Sequence, residues 1–188
     1  MLRDKVGVIY GAGGTVGGAE AQAFARERAK LFLTGRHRAS IAAVAKVVAS
    51  AGGWAGRRST RSMNAPCEGH LQSVIDKAGR VDISFNAIGI PNTTLQGVPL
   101  VELDVGQFSL PIATYTRSHF LTARVAARRM VAQRSEMIMT VTAVPSRADI
   151  PPLGGFAPAH SAVECLTPGL SAELAPHGIR VAHWCGEG

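Results

Sequence analysis

The sequence predicts an α/β fold, a doubly wound parallel sheet flanked by helices, as a single domain over residues 1–188. Three observations predict it. Short, almost wholly apolar runs alternate with segments whose apolar residues recur at helical spacing. Those runs lack the in–out alternation of a half-exposed sheet, so both sheet faces must be covered. A glycine-rich turn joins the first run to the first helix, and right-handed crossovers then wind the chain over both faces.

The elements follow in order. Residues 5–10 read as a buried strand, with Val6, Val8 and Ile9 β-prone and Gly11 ending it. Residues 15–29 are Ala-rich and helical, and 30–34 (KLFLT) form a second strand. Residues 40–51 make a second helix with Ile41, Val44, Val47 and Val48 on one face, stopped by Gly52-Gly53. A weak third strand at 54–58 precedes a helix over 68–78, where Leu71, Val74 and Ile75 share a face. Then come a strand at 81–86 and a helix at 117–131 with Phe120, Leu121 and Val125 inward. A strand at 136–142, a helix at 157–174 that holds the helix-disfavouring pair Pro168-Gly169, and a strand at 179–184 complete the series. The polar, basic segment 57–67 and the Pro- and Gly-rich segment 146–155 read as surface connections.

Composition narrows the function classes. Hydrophobic residues at 46% and charged residues at 18% exclude intrinsic disorder, and a chain this long can bury a substantial core. No apolar run reaches the ~18 residues of a membrane span, and Val6–Tyr10 is too short for a signal peptide. Cys67, Cys165 and Cys185 have no CxxC spacing, so neither a disulfide framework nor a zinc site is expected. His119, His177 and His183 have no partners at metal-ligand spacing. A reducing, cytoplasmic setting fits. The net charge of +7 favours an anionic partner. A phosphate-bearing cofactor satisfies it; nucleic acid is not expected, because the arginines are scattered and no recognition motif appears.

The first strand runs into Gly11-Ala12-Gly13-Gly14-Thr15-Val16-Gly17-Gly18. Glycines let the backbone turn tightly and approach a ligand, and the helix start behind them offers free N–H groups to a phosphate. The spacing is not GxGxxG, since Val16 stands where the third glycine would fall. Such a turn in this position suits a Rossmann-type dinucleotide site, although the same glycines would also serve a purely structural turn.

On these residues the chain resembles the short-chain dehydrogenase/reductase family along nearly its whole length. Tyr10-Gly11 and Gly17 match the ends of the family's TGxxxGxG motif, and Asn86-Ala87-Ile88-Gly89 looks like its NNAG. The run from Ser161 through Glu164 to Leu174-Ala175-Pro176-His177-Gly178-Ile179-Arg180-Val181 is similar to the helix after the family's active-site tyrosine and the strand beyond. The resemblance implies a nicotinamide cofactor held by Gly11, Gly13, Gly14, Thr15, Val16, Gly17, Asn86, Ala87, Ile88 and Gly89. It also implies a small-molecule carbonyl or alcohol substrate, and a homodimer or homotetramer formed through helices 113–133 and 157–175. At the end of the second strand an acid would bind the adenosine ribose. Gly35-Arg36-His37 stands there instead, and the fork of Arg36 suits a 2′-phosphate, so NADPH is expected over NADH. A plain solvated basic turn is the other reading.

The family's catalytic residues are a Tyr, a Lys four residues on, a Ser on the preceding strand and an Asn on the helix before that. By alignment those positions hold Phe156, His160, Ala143 and Tyr115. Phe156 cannot give a proton. The candidates left for chemistry are His160 as a general acid, Thr142, one residue from the Ser position, and Tyr115 as a source of a phenol; an ordinary helix, strand or packing role is the other reading of each. Two function classes follow: an NADP(H)-dependent oxidoreductase, and a non-catalytic dinucleotide-binding or regulatory protein on the same scaffold. The sequence ends soon after the sixth expected strand, so a fold shorter at its C-terminus than the family's is expected.

Overall fold

The computed structural model describes residues 1–59, 66–91, 93, 96–134, 136–143 and 153–186. The chain alternates β1 (Val6–Tyr10), α1 (Thr15–Arg26), β2 (Lys30–Gly35), α2 (Arg38–Ser50), β3 (Trp54–Ser59) and α3 (Pro66–Ala78). It continues with β4 (Ile83–Asn86), α4 (Val105–Met130), β5 (Glu136–Ala143), α5 (Phe156–Leu174) and β6 (Ile179–Gly186). All neighbouring strands pair in parallel, in the order β3-β2-β1-β4-β5-β6. The sequence order reverses between β1 and β4, and the crevice outside their carboxyl ends is where such sheets bind ligands. The expected fold class is therefore the observed one. Residues 60–65 and 144–152, the centres of the two expected surface connections, lie outside the described residues.

The core has two halves, one on each sheet face. On one side α1 and α2 bring Ala21, Ala25, Ile41, Ala45 and Val48 against Ile9, Leu31, Leu33 and Phe85. On the other, α3, α4 and α5 bring Leu71, Val74, Val125, Met130 and Leu174 against Val8, Phe32, Ile138 and Val181. Each such large side chain contributes about 1.5–3 kcal/mol by leaving water. The small residues of α1 let that helix lie close to the sheet, while Phe24 meets Phe85 edge to face at 6.1 Å.

The N-terminal edge of the sheet is held by one buried carboxylate. Asp82 accepts from Val6 N at 2.7 Å, from Lys5 Nζ at 3.4 Å and from the guanidinium of Arg80. Its backbone continues the ladder, with Asp82 N donating to Val6 O at 2.8 Å, although β4 proper starts at Ile83.

Several expectations are corrected. Helix α1 stops at Arg26 rather than 29, because Arg28 turns left-handed (φ 67°) and the Arg28 and Ala29 amides close on Ala25 O and Phe24 O. Helix α4 starts at Val105, three turns before the expected 117. Asp104 caps it, accepting from Gly106 N at 2.8 Å and Gln107 N at 3.2 Å, and the helix absorbs Pro111. Phe120 points outward at 44% exposure and Val47 likewise at 44%; Ser118, His119 and Thr122 occupy the inward face of α4 instead. Helix α5 runs unbroken past Pro168, which sits on its exposed side. The residue before it, Thr167, donates its Oγ1 to Val163 O, one turn back, at 2.9 Å. Among the described residues no helix is long and apolar enough to cross a membrane.

Candidate functional site

Three turns at the carboxyl ends of β1, β2 and β4 enclose a cleft of about 550 Å³. The β1–α1 turn forms its base, and here glycine is obligatory twice. Gly11 has φ +77°, and a Cβ on it would lie 2.4 Å from Ala87 O; a Cβ on Gly17 would lie 2.6 Å from Gly11 O. Backbone atoms make both contacts, so neither can yield cheaply. Ala12 N donates to Thr34 O at 2.9 Å and ties the turn to β2. Gly14 stands at the N-cap of α1 without a side-chain cap, and no acid occupies the first turn. The helix start thus keeps free N–H groups and a partial positive charge beside the cleft.

The β2–α2 turn supplies Gly35, Arg36, His37 and Ser40, and no carboxylate lines the cleft among the described residues. The β4–α4 turn supplies the opposite wall through Ala87, Ile88, Gly89, Ile90 and Pro91. Of the expected cofactor residues, Gly11, Gly13, Gly14, Thr15, Val16, Arg36, His37, Ala87, Ile88 and Gly89 line the cleft; Gly17 and Asn86 do not. These two shape it from behind. Gly17 admits α1 to the turn, and Asn86, buried, accepts from Ile88 N at 2.9 Å while donating to Thr122 Oγ1 at 3.0 Å. Asn86 therefore ties the wall to α4.

Tyr10, Thr34, His70 and Thr114 also line the cleft, and sequence reasoning missed them. Tyr10 and His70 meet edge to face at 6.1 Å on the α3 side. For Tyr10 and Thr34 a signal was available: both are among the last residues of strands that end at the crevice. His70 stands on the apolar face of its helix and looks like a core residue.

The family's catalytic positions partly come together. Tyr115, Phe156 and His160 form one ring cluster: Tyr115 to Phe156 is 5.7 Å, Tyr115 to His160 4.7 Å and Phe156 to His160 4.4 Å. His160 is buried, and neither ring nitrogen has a hydrogen-bond partner among the described residues. Burial pulls its pKa below 6.5, with Glu164 opposing, so the ring is neutral at pH 7. Burial pushes the Tyr115 phenol upward, while its Oη accepts from Ile90 N at 3.3 Å. Thr142 is 1% exposed, and its hydroxyl donates to Trp184 O on β6 at 3.5 Å. Its neighbour Ala143 takes the other sheet face. Thr142 thus stands apart from the cleft lining. Chemically, the cluster packs and excludes water; it offers one phenol and no ammonium. Among the described residues no three His, Cys, Asp or Glu side chains gather as metal ligands.

Comparison with known proteins agrees with this architecture. The family model described as enoyl-(acyl carrier protein) reductase matches residues 11–183. An uncharacterized oxidoreductase of Staphylococcus saprophyticus is 25% identical over 187 residues, covering 96% of this chain and 76% of the relative. A short-chain type dehydrogenase/reductase from Mycobacterium marinum superposes with a TM-score of 0.88 at 28% identity, over 97% of this chain and 74% of that one. A metagenomic short-chain oxidoreductase in complex with NADP shares the fold at TM-score 0.88 and 22% identity, over 100% of this chain and 84% of its own. NAD+-bound xylitol dehydrogenase has a TM-score of 0.87 at 25% identity, over 100% and 73%. With a family model spanning most of its length, the chain belongs to the short-chain dehydrogenase/reductase family of oxidoreductases.

Proposed function

We propose that the cleft binds NADP(H) and that the chain is an NADP(H)-dependent oxidoreductase acting on a small carbonyl or alcohol substrate. The observation that carries this reading is the glycine cradle: at Gly11 and Gly17 a single Cβ would collide with backbone, and the cleft opens above them at an uncapped helix start. The residues fit the cofactor. The turn around Gly13–Val16 would receive a pyrophosphate, Arg36 and His37 a 2′-phosphate, and the wall from Ala87 to Ile90 would flank the ribose and base. When bound, the nicotinamide supplies or accepts the hydride. This chain's own part is to hold and orient it, exclude water through the Tyr115–Phe156–His160 cluster, and keep a proton on Tyr115. One of the two cofactor-bound relatives named above holds NADP and the other NAD+; the preference for NADPH rests on Arg36 and the missing acid. A cytoplasmic homo-oligomer joined through the faces of α4 and α5 belongs to the same proposal.

A second reading is a dinucleotide-binding protein without hydride chemistry. Phe156 favours it, because no hydroxyl stands at the position that donates the proton in the family. His160 beside it is neutral and cannot lower a phenol's pKa as an ammonium would. A fluorescence titration with NADPH and with NADH, followed by NADPH oxidation assays over a panel of aldehydes and ketones, separates the readings. Wild-type turnover sinks the second. Tight NADPH binding without turnover, joined by turnover in a Phe156→Tyr/His160→Lys double variant, sinks the first. Failure to bind either dinucleotide sinks both.

A further inference from the structure

The wall formed by the β4–α4 turn is fastened in two halves. In the first half, Ala87 N donates to Tyr10 O at 2.9 Å and Ile88 N donates to Asn86 Oδ1 at 2.9 Å. The second half, Gly89 to Pro91, departs from the sheet. Pro91 has no N–H to give. Ile90 N donates to Tyr115 Oη at 3.3 Å. Gly89 lies against the same phenol: a Cβ built on it would come within 3.2 Å of Tyr115 Oη. The phenol is itself held from the α5 side, by the edge of Phe156 at 89° and the tilted ring of His160. Position 115 is where the resemblance expects an Asn, whose shorter side chain would leave Phe156 and His160 without this third ring.

We infer that Tyr115 is a positioning residue: it locks the Gly89–Ile90 wall of the cleft against α4 and so sets how tightly the cleft grips a dinucleotide. The inference rests on the dinucleotide reading of the cleft. The three rings convert a region that carries proton chemistry in the family into a rigid wedge, and the wedge transmits its rigidity to the wall through one hydrogen bond. A neutral hydrogen bond has a modest net effect, so the expected change in affinity is a modest factor rather than abolition.

Tyr115→Phe tests it, because the ring and its packing stay while the acceptor goes. Two readouts are taken together. Amide hydrogen exchange of the dinucleotide-free protein should speed up at Ile90 by about tenfold or more, with helices α4 and α5 and the melting temperature nearly unchanged. Calorimetric titration with NADPH should weaken by about fivefold, and mostly through faster release. A global loss of protection or a large fall in melting temperature would mean that the phenol merely supports the fold, and would overturn the inference. So would unchanged Ile90 exchange, or unchanged NADPH affinity beside a wild type that binds. If wild type itself takes up no NADPH, the dinucleotide reading fails first and takes the grip with it. Faster Ile90 exchange in Tyr115→Phe then still separates that failure from a failure of the lock.

Discussion

His119 should make this fold sensitive to acid. The ring is 1% exposed on the inward face of α4, and neither nitrogen has a hydrogen-bond partner among the described residues. Burial, and secondarily the charge of His183, push its pKa from 6.5 down to about 4. The unfolded chain therefore takes up a proton at a higher pH than the folded one. The stability contributed by keeping this ring neutral is full above pH 6.5 and drains away as pH falls through 6.5 toward 4. At about pH 5 the linkage amounts to about 2 kcal/mol, a sizeable part of a stability of about 5–15 kcal/mol. The assay is urea unfolding followed by circular dichroism at about pH 7.5 and about pH 5, for wild type and His119→Leu. Leucine differs in volume, so the comparison is of the change with pH and not of absolute stability. Wild type should lose about 2 kcal/mol more than the variant between the two conditions. His160, shifted the same way by burial, leaves the variant a residual slope. Equal pH dependence in the two proteins would refute the reasoning.

Other expected outcomes address the cleft and the sheet. Gly17→Ala drives a Cβ to 2.6 Å from Gly11 O; it should cost about 1–3 kcal/mol of unfolding free energy, read from urea titrations, and reduce NADPH binding more than stability alone explains. Arg36→Ala should weaken NADPH binding on the order of tenfold and leave NADH binding nearly as it was, read by paired fluorescence titrations. Asp82→Ala leaves the buried Val6 N without its carboxylate acceptor at the far edge of the sheet, and should lower stability by about 2 kcal/mol in urea without altering dinucleotide affinity.

The central strands were the most legible part of this chain, because β1 and β2 are short apolar runs that a sheet covered on both faces would hide, whereas the edge strand β3, with Arg57 and Arg58, reads only weakly. β1, with every residue buried, is the clearest case. Helix α4 was half hidden: Gly106, Ser109, Pro111, Thr114 and Thr116 are poor helix formers, and the Asp104 cap that starts the helix was the one signal left to read. Facing directions failed where chemistry and period disagreed. Phe120 reads as a core residue, yet the helix turns it out and buries His119 beside it. The glycine turn was legible as a backbone requirement, and the residues around it fell where that requirement puts them. Asn86 was legible through the resemblance of Asn86-Ala87-Ile88-Gly89 to a family motif, but its hydrogen bonds to Ile88 and Thr122, one of them to a helix far along the chain, were not. The resemblance put Tyr115, Phe156 and His160 at neighbouring catalytic positions, but their ring-on-ring packing depends on how α4 and α5 cross and was not legible.

The two side chains by which α4 holds the β4 turn, Tyr115 on Ile90 and Thr122 on Asn86, stand two turns apart on one face of the same helix. The helix therefore works as a shaft with two teeth engaged in the cleft wall. A slide along its axis or a roll about it would move both teeth together and shift the wall as a unit. The outer side of this shaft carries Arg117, Arg128 and the exposed ring of Phe120, with the Arg124 guanidinium 5.2 Å above that ring. A load applied to that outer side would be felt at the mouth of the cleft without touching any residue that lines it.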